Sequence, residues 1–237
     1  MKLTDFDTLT FDCYGTLIDW ETGLFAALQP LRARAGLTLG RDGVLEVFAA
    51  HESAQQAATP DMRYVELLAT VHNQLARLWG VSPDAAEDQA FGASVPDWPA
   101  FPDTPAALRS LQQHYKLVIL SNVDRDSFQG SLPRLGVTFD AIYTAQDIGS
   151  YKPDPRNFRY LIERLAAAGT PREKILHTAQ SLFHDHAPAN AAGLASAWID
   201  RRHATPGHGA TATPPQDVRW DFRFTSLGEM AEARQEG

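Results

Sequence analysis

Four places in the sequence carry side chains able to act on one another: a carboxylate at Asp12, a hydroxyl beside an amide at Ser121-Asn122, an ammonium at Lys152 and a second carboxylate at Asp185. Singly, each has an ordinary explanation. An Asp before a turn often caps it, Ser-Asn often opens a helix, and a lone Lys is usually solvated. Together they describe a carboxylate kept beside a cation. With Lys152 within ~4–6 Å, the positive charge offsets the upward shift that burial gives a carboxyl of reference pKa about 3.9, and Asp12 is expected to be ionised at pH 7. An unprotonated, partly dehydrated carboxylate can displace a leaving group from saturated carbon to give an aspartyl ester. Water then hydrolyses the ester, and Asp185 is the candidate to activate it.

The elements that must position these groups follow from the alternation of short β-rich runs with helical patterns, the signature of a parallel sheet covered by helices. The runs are Thr8 to Asp12, Leu117 to Ser121, Ala141 to Thr144, Ile175 to Thr178 and Ala197 to Ile199. Parallel sheets place ligands at the carboxyl ends of their strands. The first run stops at Asp12, the second at Ser121-Asn122, the third leads to Tyr151-Lys152-Pro153, and the fourth leads through Gln180-Ser181 to His184-Asp185-His186. From about Trp20 to Phe91 the chain is Ala- and Leu-rich at helical spacing (Val65, Leu68, Leu75, Leu78, Trp79), with no convincing strand. The expected architecture is α/β: a Rossmann-like parallel sheet core over residues 1–17 and 98–237, with an inserted α-helical cap over 18–97. Residues 95–103 are too proline-rich for a helix or a central strand and return the chain to the core. The Pro/Gly/Thr-rich stretch 203–216 reads as a surface loop before a last short strand and helix.

Composition narrows the partners. The 237 residues are 44% hydrophobic, enough for one core plus an inserted subdomain, and the formal charge is -8. With a pI near 5.4 there is no basic stripe to follow a phosphate backbone, so nucleic acid is not expected. One cysteine excludes an internal disulfide framework and suits a reducing cytoplasm. The N-terminus lacks the pattern of a signal peptide, and no apolar run approaches the ~20 residues of a membrane helix. The expectation is a cytosolic protein without membrane association.

In order, "FDCYGTL", "ILSN", "YKPDP" and "SLFHD" resemble the four motifs of the haloacid dehalogenase superfamily, and the insertion falls where that superfamily carries its cap. The resemblance covers essentially the whole chain. It implies that Asp12 is the nucleophile, that Thr16 and Ser121-Asn122 orient it and bind substrate, that Lys152 balances its charge, and that Asp185 sits across the site. Cys13, Tyr14 and Trp20 are expected near the substrate.

The superfamily divides on one position. Its phosphatases carry a second Asp two residues after the nucleophile, because the phosphoryl leaving group needs a proton and Mg²⁺ must offset phosphate charge. Here that residue is Tyr14, whose phenol, with a usual pKa of about 10, is a poor acid near neutrality. The acid expected before Ser181 is Gln180. No metal and no cofactor are therefore expected, and His184 and His186 are read as locally hydrogen-bonded in preference to ligands.

"FDCYGTL" is similar to the type II 2-haloacid dehalogenases, which act without metal on short haloacids. The cap arginine that helps them abstract halide has no counterpart in "LEVFAAHESAQQ". Their tyrosine six residues after the motif lysine is Phe158, and their Ser and Asn near the fourth motif become Gln180 and Leu182. Long stretches, among them "LTFDCYGTLIDWETG", "DWPAFPDT", "TAQDIGSYKP" and "HDHAPANAAGL", resemble the azetidine-2-carboxylate hydrolases of the same superfamily, which open a strained ring at a C–N bond. That resemblance implies a small 2-substituted carboxylate as substrate and an amine as leaving group; from the residue types on the cap, His51, Glu52 or Gln55 is expected to meet the ammonium. Trp20, Trp98 and Phe101 are candidates to line the core–cap junction. Dehalogenases of this kind are often dimers, so the resemblance also admits a homodimer.

Overall fold

The computed structural model describes residues 1–205 and 209–236. Six parallel strands form one sheet in the order β3-β2-β1-β4-β5-β6. They are β1 (Thr8–Phe11), β2 (Lys116–Ser121), β3 (Ala141–Thr144), β4 (Ile175–Ala179), β5 (Ala195–Ile199) and β6 (Phe222–Phe224). β1 lies between β2 and β4, with Thr10 level with Val118 on one side and His177 on the other. After β1 the chain builds outward to β3, then returns to lay β4, β5 and β6 on the opposite flank. The order therefore reverses beside β1, where a parallel sheet opens a crevice at its carboxyl edge.

Central strands covered on both faces read as near-continuous apolar runs, and β1 and β4 are buried throughout. In β2 the period of two sends Leu117 and Ile119 into the larger apolar cluster, and Val118 and Leu120 into a second one with Phe158, Leu161 and Leu165.

Between β1 and the proline-rich return at residues 95–103 the structure has five α-helices and no strand: α1 (Trp20–Ala27), α2 (Gln29–Arg34), α3 (Arg41–Ala58), α4 (Tyr64–Leu78) and α5 (Ala85–Gly92). α4 buries Tyr64, Leu67, Leu68, Val71 and Leu75, one face at helical spacing, and its buried His72 bonds Asp88 of α5 at 2.6 Å. The chain leaves and re-enters the sheet layer at one point. Ile18 bridges Ala100 antiparallel, Asp19 donates its N–H to Pro99, and Phe101 donates to Leu17. The proline-rich return holds one 3-10 turn, Val95–Asp97, and otherwise no helix or strand.

The remaining helices are α6 (Thr104–Leu111), α7 (Arg125–Leu135), α8 (Ala145–Ile148), α9 (Pro155–Ala167), α10 (Ala187–Ala191) and α11 (Leu227–Glu236). Asp124 caps α7 through Ser127, and its other oxygen accepts the N–H of Val65 at 3.0 Å. One buried carboxylate thus satisfies the N-termini of α7 and α4. No described helix is long and apolar enough to cross a membrane.

Candidate active site

Asp12 follows β1 directly, its N–H bonded to Thr178 of β4. The chain then coils back on the Cys13 carbonyl, which accepts the N–H groups of Thr16, Leu17 and Ile18. Gly15 makes this possible at φ +99°, a conformation that a side chain would strain. The turn lowers the Thr16 hydroxyl onto Asp12 Oδ2 at 2.8 Å, and Thr16 Oγ1 accepts the N–H of Gln180.

Lys152 is buried and all three protons of its ammonium are used: it donates to Asp12 Oδ1 at 3.0 Å, Asp185 Oδ1 at 2.6 Å and the Leu120 carbonyl at 2.9 Å. Asp185 sits on a single π turn, Leu182–His186, opened by the Ser181 side chain, which accepts the N–H of His184. Its Oδ1 also receives His177 Nε2 at 3.0 Å, while Oδ2 is buried without a hydrogen bond.

These contacts separate the two acids. Burial raises the Asp12 carboxyl, Lys152 and Thr16 pull it down, Asp185 pushes it up, and the net displacement is upward. The lysine thus offsets burial only in part. For Asp185, burial is outweighed by Lys152 and His177, which hold it far below the usual carboxylate range. Burial alone would lower Lys152, but its two carboxylates raise it.

The sequence expectations fare unevenly. Asp12, Thr16, Lys152 and Asp185 come together. Asn122 borders the cavity and also holds the lysine backbone, accepting Lys152 N–H at 2.7 Å and donating one of its two amide protons to Lys152 O at 3.0 Å. Ser121 is buried beneath, its Oγ unpartnered, and does not line the cavity. Cys13 is a core residue whose thiol is pushed up by burial. It contributes its carbonyl to the turn, and its side chain does not reach the cavity. Tyr14 and Trp20 do line it. The Tyr14 hydroxyl pairs with Ser131 at 2.9 Å and its ring meets Trp98 edge-on, which places Trp98 behind the cavity wall. Phe101 lies under the Arg201 guanidinium, outside the wall.

In the cap the helical period decides. Glu52 and Gln56, four apart on α3, face the cavity; His51 and Gln55 fall about 100° away and do not. His51 bonds its own helix at the Val47 carbonyl, and Gln55 bonds Thr59 and Gln74. Glu52 Oε1 accepts the Tyr64 hydroxyl at 2.7 Å, and burial raises Glu52 to about 7.

Gln56, Tyr64, Val123 and Thr211, which sequence reasoning missed, complete the wall together with Gln180, Ser181 and His184 of the fourth strand end. The i+4 relation to Glu52 could have found Gln56. Thr211 comes from the stretch expected to be a surface loop. At Ala210 the chain turns inward: this residue is buried and donates its N–H to Glu21. Residues 206–208 of the stretch lie outside the described residues. His184 and His186 are both lowered to about 4 by burial, so each is neutral at pH 7. His186 is consumed by Ala179 O and Ser196, and His184 lines the cavity beside Ser181.

The cavity holds about 50 Å³, room for a few water-sized groups. A magnesium ion would need further hard oxygen donors beside Asp12 and Asp185. Gln180 stands where an acid was sought, and among the described residues no three His, Cys, Asp or Glu side chains form a group that could hold a metal ion. The donor set does not fit the ion.

Residues 6–193 match the family described as haloacid dehalogenase-like hydrolase. The (S)-2-haloacid dehalogenase 4A of Burkholderia cepacia is 27% identical over 164 residues, covering 65% of this chain and 68% of that protein. Among solved structures, the L-2-haloacid dehalogenase of Xanthobacter autotrophicus with chloropropionic acid covalently bound superposes with a TM-score of 0.76 at 19% identity, over 97% of this chain and 98% of that one. The HAD-hydrolase YfnB of Bacillus subtilis bound to magnesium gives 0.75 at 21% identity, over 96% and 97%. At these identities the structural likeness establishes the fold.

Proposed function

The chain belongs to the haloacid dehalogenase-like hydrolases, and from that premise we propose a metal-independent hydrolase that displaces a leaving group at or next to the α-carbon of a small 2-substituted carboxylate through an Asp12 ester, with azetidine-2-carboxylate as the favoured substrate. The observation that carries this reading is the ammonium of Lys152, bonded to Asp12 and Asp185 at once, with Tyr14 where a phosphatase acid would stand. Thr16 and Lys152 each engage one Asp12 oxygen, which fixes the carboxylate for in-line attack. Attack forms an O–C bond and breaks the ring C–N bond. The protonated ring nitrogen takes the electron pair and leaves as a primary amine. Water then adds to the Asp12 carbonyl carbon, Asp185 takes its proton, and the hydroxy acid departs.

The leaving group follows from charge. Asp12, Asp185 and Glu52 line the cavity, Lys152 is its one cationic lining side chain among the described residues, and all three of its protons are spent. A departing halide gains nothing from such a wall, whereas a ring ammonium finds a carboxylate partner in Glu52. The small cavity favours a small substrate over a bulky one.

Halide displacement from 2-haloacids is the second reading, supported by the Burkholderia cepacia relative and by the covalent chloropropionate in the Xanthobacter autotrophicus enzyme. One experiment separates these from Mg²⁺-dependent phosphate release. Azetidine-2-carboxylate, 2-chloropropionate and p-nitrophenyl phosphate are supplied with and without chelator, and excess enzyme is run through one turnover in H₂¹⁸O. Ring opening that survives the chelator and labels Asp12 supports the proposal; chelator-sensitive phosphate release alone removes it.

A further inference from the structure

The strand that carries the crevice on one side contains a residue that neither the motifs nor the proposed chemistry use. His177 lies in the middle of β4, fully buried, where both neighbouring positions along the strand are closed to water. An imidazole there is costly unless both ring nitrogens are bonded. Both are. Nδ1 lies 2.9 Å from Thr10 Oγ1, on the residue of β1 directly opposite in register, and Nε2 lies 3.0 Å from Asp185 Oδ1. The Phe158 ring packs edge-on at 4.9 Å and fixes the plane of the imidazole. An ionised carboxylate only accepts, so the proton faces Asp185, and the Thr10 hydroxyl completes the chain.

This arrangement places two donors, Lys152 and His177, on one oxygen of Asp185 and none on the other. The consequence appears when Asp12 becomes an ester. One of the two anions sharing the Lys152 ammonium is then neutral, and Asp185 alone competes for it. Without a second anchor the carboxylate is free to turn and offer both oxygens to the lysine.

We infer that His177 is a positioning residue for the second half-reaction, holding Asp185 so that Oδ2 takes the proton from the water that attacks the Asp12 ester. In that step the water oxygen bonds to Asp12 Cγ and one proton passes to Asp185 Oδ2. The bond from Cγ to the ester oxygen breaks, and that oxygen leaves with the substrate carbon and recovers the proton. The inference rests on the aspartyl-ester reading of the site, and its test is built to fail separately from that reading.

Rapid-quench single turnover with azetidine-2-carboxylate and with 2-chloropropionate, read by the mass of the Asp12 peptide, compares the wild type with His177→Leu, His177→Gln and Thr10→Val. The expected result is that His177→Leu forms the adduct within about threefold of the wild-type rate but loses it at least about tenfold more slowly, so that the ester accumulates. His177→Gln keeps a donor at the reach of Nε2 and recovers part of the rate. Thr10→Val leaves the imidazole in place and slows the same step by a few-fold, and it serves with His177→Gln where the leucine variant does not fold. Adduct that decays at the wild-type rate, or variants that slow formation and decay equally, overturn the inference and leave the ester mechanism standing. Absence of both adduct and ¹⁸O label in Asp12, or no turnover of either compound, removes the ester reading itself.

Discussion

The core wall and the cap wall of the cavity hold their charges in different ways. On the core side, strand ends and one tight turn deliver Asp12, Thr16, Lys152 and Asp185, and the Lys152 ammonium is bonded to both carboxylates before any substrate arrives. On the cap side, helices deliver Glu52, Gln56 and Tyr64, and the Glu52 carboxyl has only a phenol for company. The first wall is prepaired; the second becomes charged at a cost that a cationic ligand would relieve. Under the proposed function, the difference divides bond-making at the sheet edge from choice of substrate on the helices.

The largest expected effect falls on the core wall. Asp12→Asn lowers kcat by at least about 10³-fold in steady-state assays, with the fold retained by circular dichroism. Lys152→Met leaves two buried carboxylates without their cation and destabilises by about 3–5 kcal/mol in denaturant titration, more at pH 8 than at pH 5, where protonation relieves them. If Lys152→Met were harmless, the contrast between prepaired and unpaired walls would be lost.

Glu52→Gln is expected to act in opposite directions on activity and stability. It lowers kcat/KM for ring opening by about 10- to 100-fold, the scale of one hydrogen bond to a charged group, and leaves 2-chloropropionate turnover within about threefold. Because burial raises Glu52 to about 7, its contribution to stability is fully present below the unfolded value of about 4.5 and is lost as pH rises through 7. The variant therefore melts higher than the wild type at pH 8 and close to it at pH 5.

The pH profile sharpens the same contrast. Asp12, raised by burial, must lose its proton to attack, so both candidate reactions fall on the acid side. Only the reaction that needs ionised Glu52 gains again as pH passes about 7. Ring opening shows that second rise in kcat/KM; halide release, which is favoured by a protonated Glu52, does not.

The smallest effect belongs to the tie between the walls. Asp124→Asn keeps the cap of α7 but turns an acceptor into an amide NH₂ facing the Val65 N–H. Val65 adjoins Tyr64, which holds Glu52, so KM is expected to rise a few-fold with a smaller change in kcat, for about 1 kcal/mol of stability.

The sheet and the placing of its charged groups were readable because the signals are local. A buried apolar run ending on Asp12, a turn with Gly15, and Lys-Pro after β3 each sit within a few residues of the groups they position. β3 was expected at the residues it occupies, and β1, β2, β4 and β5 differ by one or two residues at an end. The cap face was harder. Helical spacing shows that α3 is amphipathic, but which face meets the cavity depends on how it docks, so His51 and Gln55 were placed beside Glu52 when Gln56 belonged there. For Asn122 the sequence shows type and position at a strand end, but not that the same amide also bridges the Lys152 backbone, a contact between residues 30 apart. His177 did leave a signal, a large polar side chain in the middle of "ILHTA", where a doubly covered strand has no ordinary use for one.

The meeting of Ile18 with Ala100 bears on how this molecule can be rebuilt. The outgoing and returning chains stand one strand spacing apart, about 4.8 Å, so the sheet layer is already closed beneath the insertion and sees it as a hairpin of arbitrary content. Any lid whose ends fit that gap can be transplanted at modest closure entropy, since the penalty grows only slowly with the length between them. Trading one roof for another over an unchanged floor is thus a ready path by which such a scaffold acquires new substrates.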